Sequence, residues 1–228
     1  MKLTRHVVIA IDGPAAAGKS STAQWVASLL GFRHVDSGAL YRAATAAALR
    51  AVARADALTE DAVLRAAQSV SLAAAEPSFI PHLNGAPAEE EIRSPDVTRS
   101  VSRVAQMPEV RHWVNAKVRA VAADHDVVVD GRDMGTAVFP DADVKVYLVA
   151  DPWERAKRRL TQQLRRLPTD DEIAEETDRL VHRDALDATQ SLQARDAILV
   201  DTTYLTQQEQ VDRIVAVARA VTLRGQVG

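Results

Sequence analysis

The sequence predicts an α/β protein of three layers (αβα), in which helices cover both faces of a central five-stranded parallel sheet. Short segments, most of them apolar and β-branched, are predicted as buried strands at residues 7–11, 33–36, 127–130, 144–149 and 198–200. Apolar residues at helical spacing occur at residues 19–30, 39–54 and 60–68, and again from residues 152 and 207 onward. Strands that alternate with helices are typical of a parallel sheet covered on both sides.

The composition excludes several classes of protein. The 228 residues include no cysteine, which excludes a disulfide scaffold, a zinc–thiolate site and a thiol nucleophile. The net charge is −3 and no basic stripe is interleaved with aromatic residues, so we expect no nucleic-acid partner. No apolar run reaches the ~18 residues of a membrane span, and Asp12 ends the first run too early for a secretion signal. We expect a monomeric, cytoplasmic protein with no membrane partner.

A phosphate-binding loop follows the first predicted strand. Residues 13–20 are Gly-Pro-Ala-Ala-Ala-Gly-Lys-Ser and match G-x-x-x-x-G-K-[ST] between a strand and a helix, which is the context that the motif requires. The backbone N–H groups and the helix N-terminus bind phosphate, Lys19 reaches the β- and γ-phosphates, and Ser20 ligates Mg²⁺. The predicted nucleotide contacts are Gly13, Pro14, Ala15, Ala16, Ala17, Gly18, Lys19, Ser20 and Ser21.

The loop alone does not define a reaction. An Asn-Lys-x-Asp guanine motif is absent from the sequence, as is a second nucleotide-binding half. A small-molecule phosphotransferase remains, and it needs many cations around one cleft because it holds two anionic substrates in line. Arginine supplies 23 of the 28 basic residues, a bias that composition explains in large part. A regulatory switch that hydrolyses nucleotide slowly is the alternative from another class.

Two polar segments follow predicted strands, at the sheet edge where ligands bind. Residues 36–42, Asp-Ser-Gly-Ala-Leu-Tyr-Arg, offer the Ser37 hydroxyl and the Arg42 guanidinium, with a helix cap and a surface arginine as the alternative. Residues 130–136, Asp-Gly-Arg-Asp-Met-Gly-Thr, present Arg132 and Asp133 to a ligand. Asp130 ends its strand and is placed to act near Mg²⁺ through water.

Two regions interrupt the alternation of strands and helices. Residues 69–123 contain strand-like segments around Asn84-Gly85, a hairpin signal, and then helices, so we predict an inserted subdomain. Residues 152–189 are charged and helical with little apolar content, which predicts a loosely packed, mobile lid. The core then comprises residues 1–68, 124–151 and 190–228. Three arginines of the lid share one helix face: Arg155, Arg158 and Arg159.

Over essentially its whole length the sequence resembles the bacterial cytidylate kinases, a branch of the nucleoside monophosphate kinases. Two blocks carry the most specific part of the resemblance, Asp-Ser-Gly-x-x-Tyr-Arg at residues 36–42 and Gly-Arg-Asp-x-Gly-Thr at residues 131–136. The phosphate loop, by contrast, is shared with many unrelated enzymes. Further matching segments are residues 11–14, 91–93, 101–105, 108–111, 183–187 and 196–202.

The resemblance implies transfer of the γ-phosphoryl group of ATP to CMP or dCMP, with Mg²⁺. Residues 69–123 would bind the monophosphate. The implied contacts are Ser102, Arg111 and Asp133 with cytosine, Ser37 and Asp187 with the sugar, and Arg42, Arg132 and Arg183 with the CMP phosphate. Arg158 and its neighbours in the lid would close over the transferring group, so the implied catalytic residues are Lys19, Arg132, Arg158 and Arg183. The closest alternatives keep the fold and change the acceptor to UMP, AMP or shikimate.

One position departs from the family pattern. Three residues after Asp187 the family usually has an arginine, and this chain has Gln190. Either the CMP phosphate loses one cation, or a nearby residue such as Arg195 substitutes, or the local alignment is shifted by a few residues. We expect Gln190 to weaken monophosphate binding without abolishing turnover.

Overall fold

A computed structural model describes residues 6–52 and 57–225 of the chain. Its strands are β1 (Val8–Asp12), β2 (Arg33–Asp36), β3 (Val70–Ala75), β4 (Ser78–Leu83), β5 (Ala86–Pro87), β6 (Val127–Gly131), β7 (Val144–Val149) and β8 (Ile198–Asp201). Its helices are α1 (Lys19–Leu30), α2 (Ser37–Ala51), α3 (Glu60–Ala67), α4 (Pro95–Val104), α5 (Pro108–Asp124), α6 (Pro152–Leu164), α7 (Asp170–Asp187) and α8 (Gln207–Gly225). The predicted end of the second helix, residues 53 and 54, lies outside the described residues.

The five predicted strands form the parallel core of the sheet. In the order β2-β6-β1-β7-β8 each is a neighbour of the next, and every pair is parallel. Central β1 pairs with β6 on one side and β7 on the other. Because all five run the same way, their carboxyl ends meet at one edge, which is where ligands bind in such sheets.

The sheet is larger than predicted, because the inserted hairpin extends it. β4 pairs in parallel with β2 through His34 with Ser78 and Val35 with Phe79, and β3 and β5 pair antiparallel with β4. The described residues therefore form an eight-stranded sheet. The insertion covers the backbone groups that β2 would otherwise leave unpaired at an edge. Its predicted two-residue turn is present, with φ of +50° at Asn84 and +81° at Gly85.

Two apolar cores lie on opposite faces of this sheet, as the three-layer prediction requires. Side chains alternate along a strand, so Val8 and Ala10 of β1 face the core formed with α2 to α5, whereas Ile9 and Ile11 face the core formed with α1 and α8. Both faces of β1 are buried, which explains its continuous apolar run. None of the described helices is both long and apolar enough to cross a membrane.

The charged helices α6 and α7 of the predicted lid pack on each other and on the phosphate loop. Ala156, Ile173 and Leu180 are buried with Ala15 of the phosphate loop in a third, small apolar cluster. These few apolar residues lie on the faces that the two helices turn toward each other and toward the loop, and the mobility of the lid stays a prediction.

Candidate active site

The phosphate loop has the backbone geometry that its sequence predicts. Gly13 has φ of +148°, and a Cβ there would lie 2.3 Å from the carbonyl oxygen of Leu148 in β7, so no side chain fits. Gly18 has φ of +85° and is the N-cap residue that precedes α1. Ser21 at the exposed start of the helix donates to the Gly18 carbonyl at 3.0 Å. The N–H groups of the first turn of α1 are therefore directed into the loop.

Lys19 lies over this loop and is almost fully buried. Its Nζ donates to the Pro14 carbonyl at 2.7 Å. Burial, reinforced by the positive charge of Arg132, lowers the pKa of Lys19 to about 7. A buried ammonium next to a guanidinium is stabilised by any anion brought to the same place, so this position favours a phosphate group.

Ser20 contacts two carboxylates that end neighbouring strands. Its Oγ lies 2.7 Å from Oδ2 of Asp130 and 3.2 Å from Oδ2 of Asp36. Burial of the Asp36 carboxylate and the nearby charge of Asp130 raise the pKa of Asp36. A hydroxyl and two carboxylates are oxygen ligands of the kind that Mg²⁺ takes together with substrate phosphates, so the residues present fit this ion.

His34 connects these carboxylates to the inserted hairpin and was not identified from the sequence. Its Nε2 lies 2.8 Å from Oδ1 of Asp130, and its Nδ1 lies 3.0 Å from Oγ of Ser78 in β4. Burial lowers the pKa of His34, but the hydrogen bond and charge of Asp130 outweigh it, so the pKa is raised overall. The only sequence signal for a role of His34 was the presence of a polar residue in β2, a segment predicted as a buried strand.

The loop after β6 is held by a buried carboxylate at the end of β1. Asp12 accepts the backbone N–H groups of Met134 at 2.9 Å and of Gly135 at 2.7 Å. Burial raises the pKa of Asp12 to about 6, despite these two hydrogen bonds. The contact fixes the segment that presents Arg132 and Asp133, which sequence reasoning placed at this edge without identifying what holds them.

Ser37 is more constrained than the predicted sugar contact implies. Its buried Oγ donates to the Asp130 carbonyl at 2.8 Å. A Cβ at Gly131 would lie 2.5 Å from the same oxygen, so the glycine after Asp130 leaves room for this serine. The hydroxyl proton of Ser37 is used in the bond to the Asp130 carbonyl of β6. Only the oxygen lone pairs of Ser37 are left to accept a hydrogen bond from a ligand.

The predicted phosphate arginines lie close together. Arg132 donates from Nη1 to the Gly13 carbonyl at 2.9 Å and from Nε to Oδ2 of Asp187 at 3.3 Å. The buried Nε of Arg183 has no hydrogen-bond partner in the part of the chain that the structure describes, and it lies 3.8 Å from the same Asp187 oxygen. Burial and the charge of Arg132, with smaller contributions from Arg42 and Arg159, lower the pKa of Arg183 to about 10.

Arg42 belongs to the same group. Its Nη1 donates to Oγ1 of Thr98 at 3.0 Å and to the Ile92 carbonyl at 3.3 Å, so the inserted subdomain holds it. Burial lowers the pKa of Arg42; the charge of Asp36 opposes this shift, and the charges of Arg159, Arg93 and Arg132 reinforce it. The guanidinium groups that act on one another here outnumber the carboxylates beside them, which is the composition of a phosphate site.

The structure does not place Arg158 in this group. Its Nη2 donates to the carbonyls of Thr202 at 2.6 Å and Thr203 at 2.8 Å, just beyond β8. The next residue, Arg159, pairs with Glu176 at 3.1 Å, and its charge lowers the pKa of Arg42 and Arg183. One residue turns a helix by about 100°, which is enough to separate the two side chains. The assignment of Arg158 to the transferring group stays a prediction, and Arg159 is the lid arginine whose charge acts on the phosphate arginines in this structure.

Two of the three predicted base contacts, Arg111 and Asp133, form a second polar cluster. Arg111 donates from Nη2 to Oδ2 of Asp133 at 2.5 Å and from Nη1 to the Ala105 carbonyl at 3.0 Å. Tyr41 is buried nearby and its hydroxyl has no hydrogen-bond partner among the described residues. Burial raises the pKa of Tyr41 to about 12, with Arg111 opposing and Asp133 reinforcing the shift. Ser102 lies half-buried on α4.

Gln190 joins this second cluster rather than the phosphate arginines. Its Oε1 accepts from Nη1 of Arg111 at 2.7 Å. Arg195, which the sequence offered as a substitute cation, is exposed on the segment before β8.

A second unpredicted contact joins the lid to the phosphate loop. Arg155 is buried and donates from Nη1 to Oδ2 of Asp184 at 2.7 Å and to the Ala15 carbonyl at 2.8 Å. Asp184 in turn accepts the Ala15 N–H at 3.2 Å through Oδ1. The N–H group of Ala15 is thus bonded to Asp184 and its carbonyl to Arg155, so two lid side chains hold this loop residue.

The arginines at the carboxyl edge of the sheet outnumber the carboxylates beside them. An enzyme that brings two phosphorylated molecules together needs this excess of positive charge. Fold and site together define a P-loop kinase of small molecules. Two solved structures share the fold at 14% identity: a gluconokinase from Sinorhizobium meliloti (TM-score 0.52, covering 98% of this chain and 99% of that one) and a shikimate kinase from Bacteroides thetaiotaomicron (TM-score 0.51, 95% and 98%).

The chain belongs to the cytidylate kinase family, whose model matches residues 9–220. It is 40% identical over 220 residues to the cytidylate kinase of Oceanobacillus iheyensis, covering 93% of this chain and 94% of that protein. It is 41% identical over 216 residues to that of Nocardia farcinica, covering 91% of each. The resemblance seen in the sequence is thereby confirmed, and the chain is an ATP-dependent nucleoside monophosphate kinase.

Proposed function

We propose that this chain transfers the γ-phosphoryl group of ATP to CMP or dCMP with the residues gathered at the carboxyl edge of its sheet. The observation that carries the assignment is that two consecutive residues belong to two different polar clusters. Arg132 bonds to Asp187 among the phosphate arginines, and Asp133 accepts from Arg111. One short loop, held by Asp12, would therefore set the position of the monophosphate and of its base.

Base recognition follows from the polarity of the Arg111–Asp133 pair. Cytosine carries an exocyclic amine beside ring acceptors, so Asp133 can accept from the amine while Arg111 donates to the carbonyl and ring nitrogen. Uracil has a carbonyl where cytosine has the amine, and Asp133 would then face an acceptor. A buried mismatch of this kind supports discrimination of several orders of magnitude. Ser102, and the lone pairs of Ser37 with Asp187 for the sugar, complete the proposed acceptor site.

The transfer step needs positioning and charge stabilisation, not a protein nucleophile. Arg42, Arg132 and Arg183 orient the CMP phosphate so that its oxygen attacks the γ-phosphorus in line. Lys19, the loop N–H groups and Arg159 stabilise the charge that develops on the equatorial oxygens. Closure of the lid over the site excludes water and suppresses ATP hydrolysis.

Magnesium is proposed at Ser20, with Asp130 and Asp36 holding the waters of the ion. The ion would neutralise charge between the β- and γ-phosphates. His34 keeps the Asp130 carboxylate turned toward Ser20 through its 2.8 Å contact with the other oxygen. We also propose a cytoplasmic monomer that acts on small molecules without a nucleic-acid or membrane partner, consistent with the low net charge.

A coupled assay of ADP release with CMP, dCMP, UMP and AMP tests the proposal. The expected result is turnover with CMP and dCMP and at least ~100-fold lower kcat/KM with UMP and AMP, as a buried polar mismatch predicts. Lys19→Ala should lower kcat with CMP by about 10²–10³-fold, the usual effect of removing one stabilising group from a transition state. Equal turnover of UMP or AMP would refute the acceptor assignment, and near-native turnover by Lys19→Ala would refute the mechanism.

A further inference from the structure

We propose that Gln190 is a positioning residue for the nucleobase, which holds Arg111 in the orientation that reads cytosine. This inference rests on the proposed function. Gln190 ends the 3₁₀ turn Ala188–Gln190 that follows α7, three residues after Asp187. The same short segment therefore contacts the phosphate arginines through Asp187 and the base-reading arginine through Gln190.

The donors of Arg111 show what this contact achieves. A guanidinium has five N–H donors in a fixed plane. Nη1 serves two acceptors, the Ala105 carbonyl at 3.0 Å and Oε1 of Gln190 at 2.7 Å, and Nη2 serves Asp133. These three bonds fix the plane of the group and leave Nε–H and one Nη2–H for a ligand. Without Gln190, Nη1 keeps only its bond to the Ala105 carbonyl. The guanidinium plane is then held by two bonds instead of three, so its Nε–H and Nη2–H donors are less firmly oriented toward a ligand.

The charge of residue 190 matters as much as its length. A glutamine offers Arg111 a neutral acceptor, whereas an arginine offers only further donors and a second positive charge. The expectation that Gln190 merely costs the CMP phosphate one cation predicts that Gln190→Arg lowers the KM for CMP. The 2.7 Å contact predicts the opposite, because the new guanidinium would repel Arg111 and compete for Asp133.

Three variants separate these readings. Gln190→Met keeps the length of the side chain but removes the acceptor, Gln190→Glu keeps an acceptor, and Gln190→Arg reverses the polarity. Gln193→Met is the matched control, because Gln193 lies three residues further along the chain, is exposed, and donates to the Ala197 carbonyl at 3.4 Å, away from Arg111. Each protein is assayed for KM and kcat with CMP, UMP and ATP, and for CMP binding by calorimetry, with thermal unfolding recorded to confirm that it is folded.

We expect Gln190→Met to raise the KM and Kd for CMP about 10-fold, the size of one hydrogen bond to a charged group. The KM for ATP should change less than ~2-fold and the preference for CMP over UMP should fall, since base reading alone is impaired. Gln190→Glu should stay within ~3-fold of the wild type because it restores the acceptor. Gln190→Arg should raise the KM for CMP, and Gln193→Met should change nothing.

An unchanged KM and Kd for CMP in Gln190→Met would overturn the inference. A lower KM for CMP in Gln190→Arg would also overturn it, because it would show that residue 190 acts on the CMP phosphate. So would a rise in the KM for ATP equal to the rise in the KM for CMP in Gln190→Met, because it would indicate an effect on the lid. None of these outcomes touches the proposed function, because that depends on the wild type preferring CMP. A wild type that uses UMP as well as CMP would instead refute the proposed function.

Discussion

Arg155 and Asp184 form an ion pair of 2.7 Å across the two lid helices, and both bond to the backbone of Ala15. The lid is thereby attached to the third residue of the phosphate loop through its N–H and its carbonyl. A phosphate loop binds phosphate through the orientation of its backbone N–H groups. A side-chain pair that fixes Ala15 therefore links the position of the lid to the geometry of the nucleotide site.

Breaking this pair should impair nucleotide binding and stability together. Asp184→Ala leaves the buried Arg155 without its carboxylate partner, and we expect the free energy of unfolding to fall by about 3 kcal/mol, the lower end of the cost of a broken buried pair. The KM for ATP should rise more than the KM for CMP. Chemical denaturation and two-substrate kinetics measure both effects.

The control for that experiment is an exposed ion pair on the same helix. Arg179 and Glu175 lie 3.2 Å apart with both side chains largely exposed. Glu175→Ala should change the free energy of unfolding by less than about 0.5 kcal/mol. Equal effects of Asp184→Ala and Glu175→Ala would contradict the role assigned to the Arg155–Asp184 pair.

Adjacent lid arginines should have different phenotypes. The charge of Arg159 acts on the phosphate arginines, so Arg159→Ala should lower kcat by about 10²-fold, as loss of a transition-state contact does. It should also lower the melting temperature, because the buried Glu176 loses a partner. Arg158 donates to the Thr202 and Thr203 carbonyls, so Arg158→Ala should lower the melting temperature and affect kcat less. Single-turnover rates and thermal unfolding of both variants decide the matter. The reverse pattern would support the sequence-based assignment of Arg158.

Sequence reasoning located the parts of the site that depend on local patterns. Lys19 and Ser20 follow from the loop motif, and Arg132 and Asp133 follow from their place at the end of a strand. Helical spacing put Arg158 and Arg159 on one face, but a face of a helix is broad and spacing does not say which residue points at the cleft.

The contacts that sequence reasoning missed join residues remote in the chain. Asp12 bonds a residue 122 positions away, His34 one 96 away and Asp184 one 169 away. No periodicity connects such residues, since their pairing depends on the order of the strands and on the docking of the lid. The inserted hairpin entered the sheet for the same reason, because pairing of β4 with β2 is not encoded in either strand alone.

Asp12 should give the enzyme a measurable dependence of stability on pH. Its pKa is raised from 3.8 to about 6 in the folded protein, so between these values the folded state binds more protons than the unfolded state. Stability contributed by this group therefore falls as the pH rises from about 4 to 6, by about 3 kcal/mol in total for a shift of this size.

The comparison that isolates Asp12 uses Asp12→Asn. The free energy of unfolding of the wild type minus that of the variant should decrease as the pH rises from 4 to 7, because only the wild type pays for burying a charge there. Asp61→Asn, at an exposed site on α3, supplies the control. A difference that stays constant across this range would show that Asp12 is not the group responsible.

Asp133 should determine which pyrimidine is phosphorylated. Asp133→Asn replaces one carboxylate oxygen by an N–H₂ group, which can donate to the carbonyl of uracil but not accept from the amine of cytosine through that atom. We expect kcat/KM with CMP to fall by about 10²-fold and the ratio of CMP to UMP turnover to fall further, since a donor replaces an acceptor in a site that excludes water. The variant also weakens the bond to Arg111, so Arg111→Lys, which keeps the charge and loses the fork, separates loss of orientation from loss of polarity. If Asp133→Asn lowers turnover of both nucleotides equally, as Arg111→Lys is expected to do, Asp133 acts by holding Arg111 and not by reading the base.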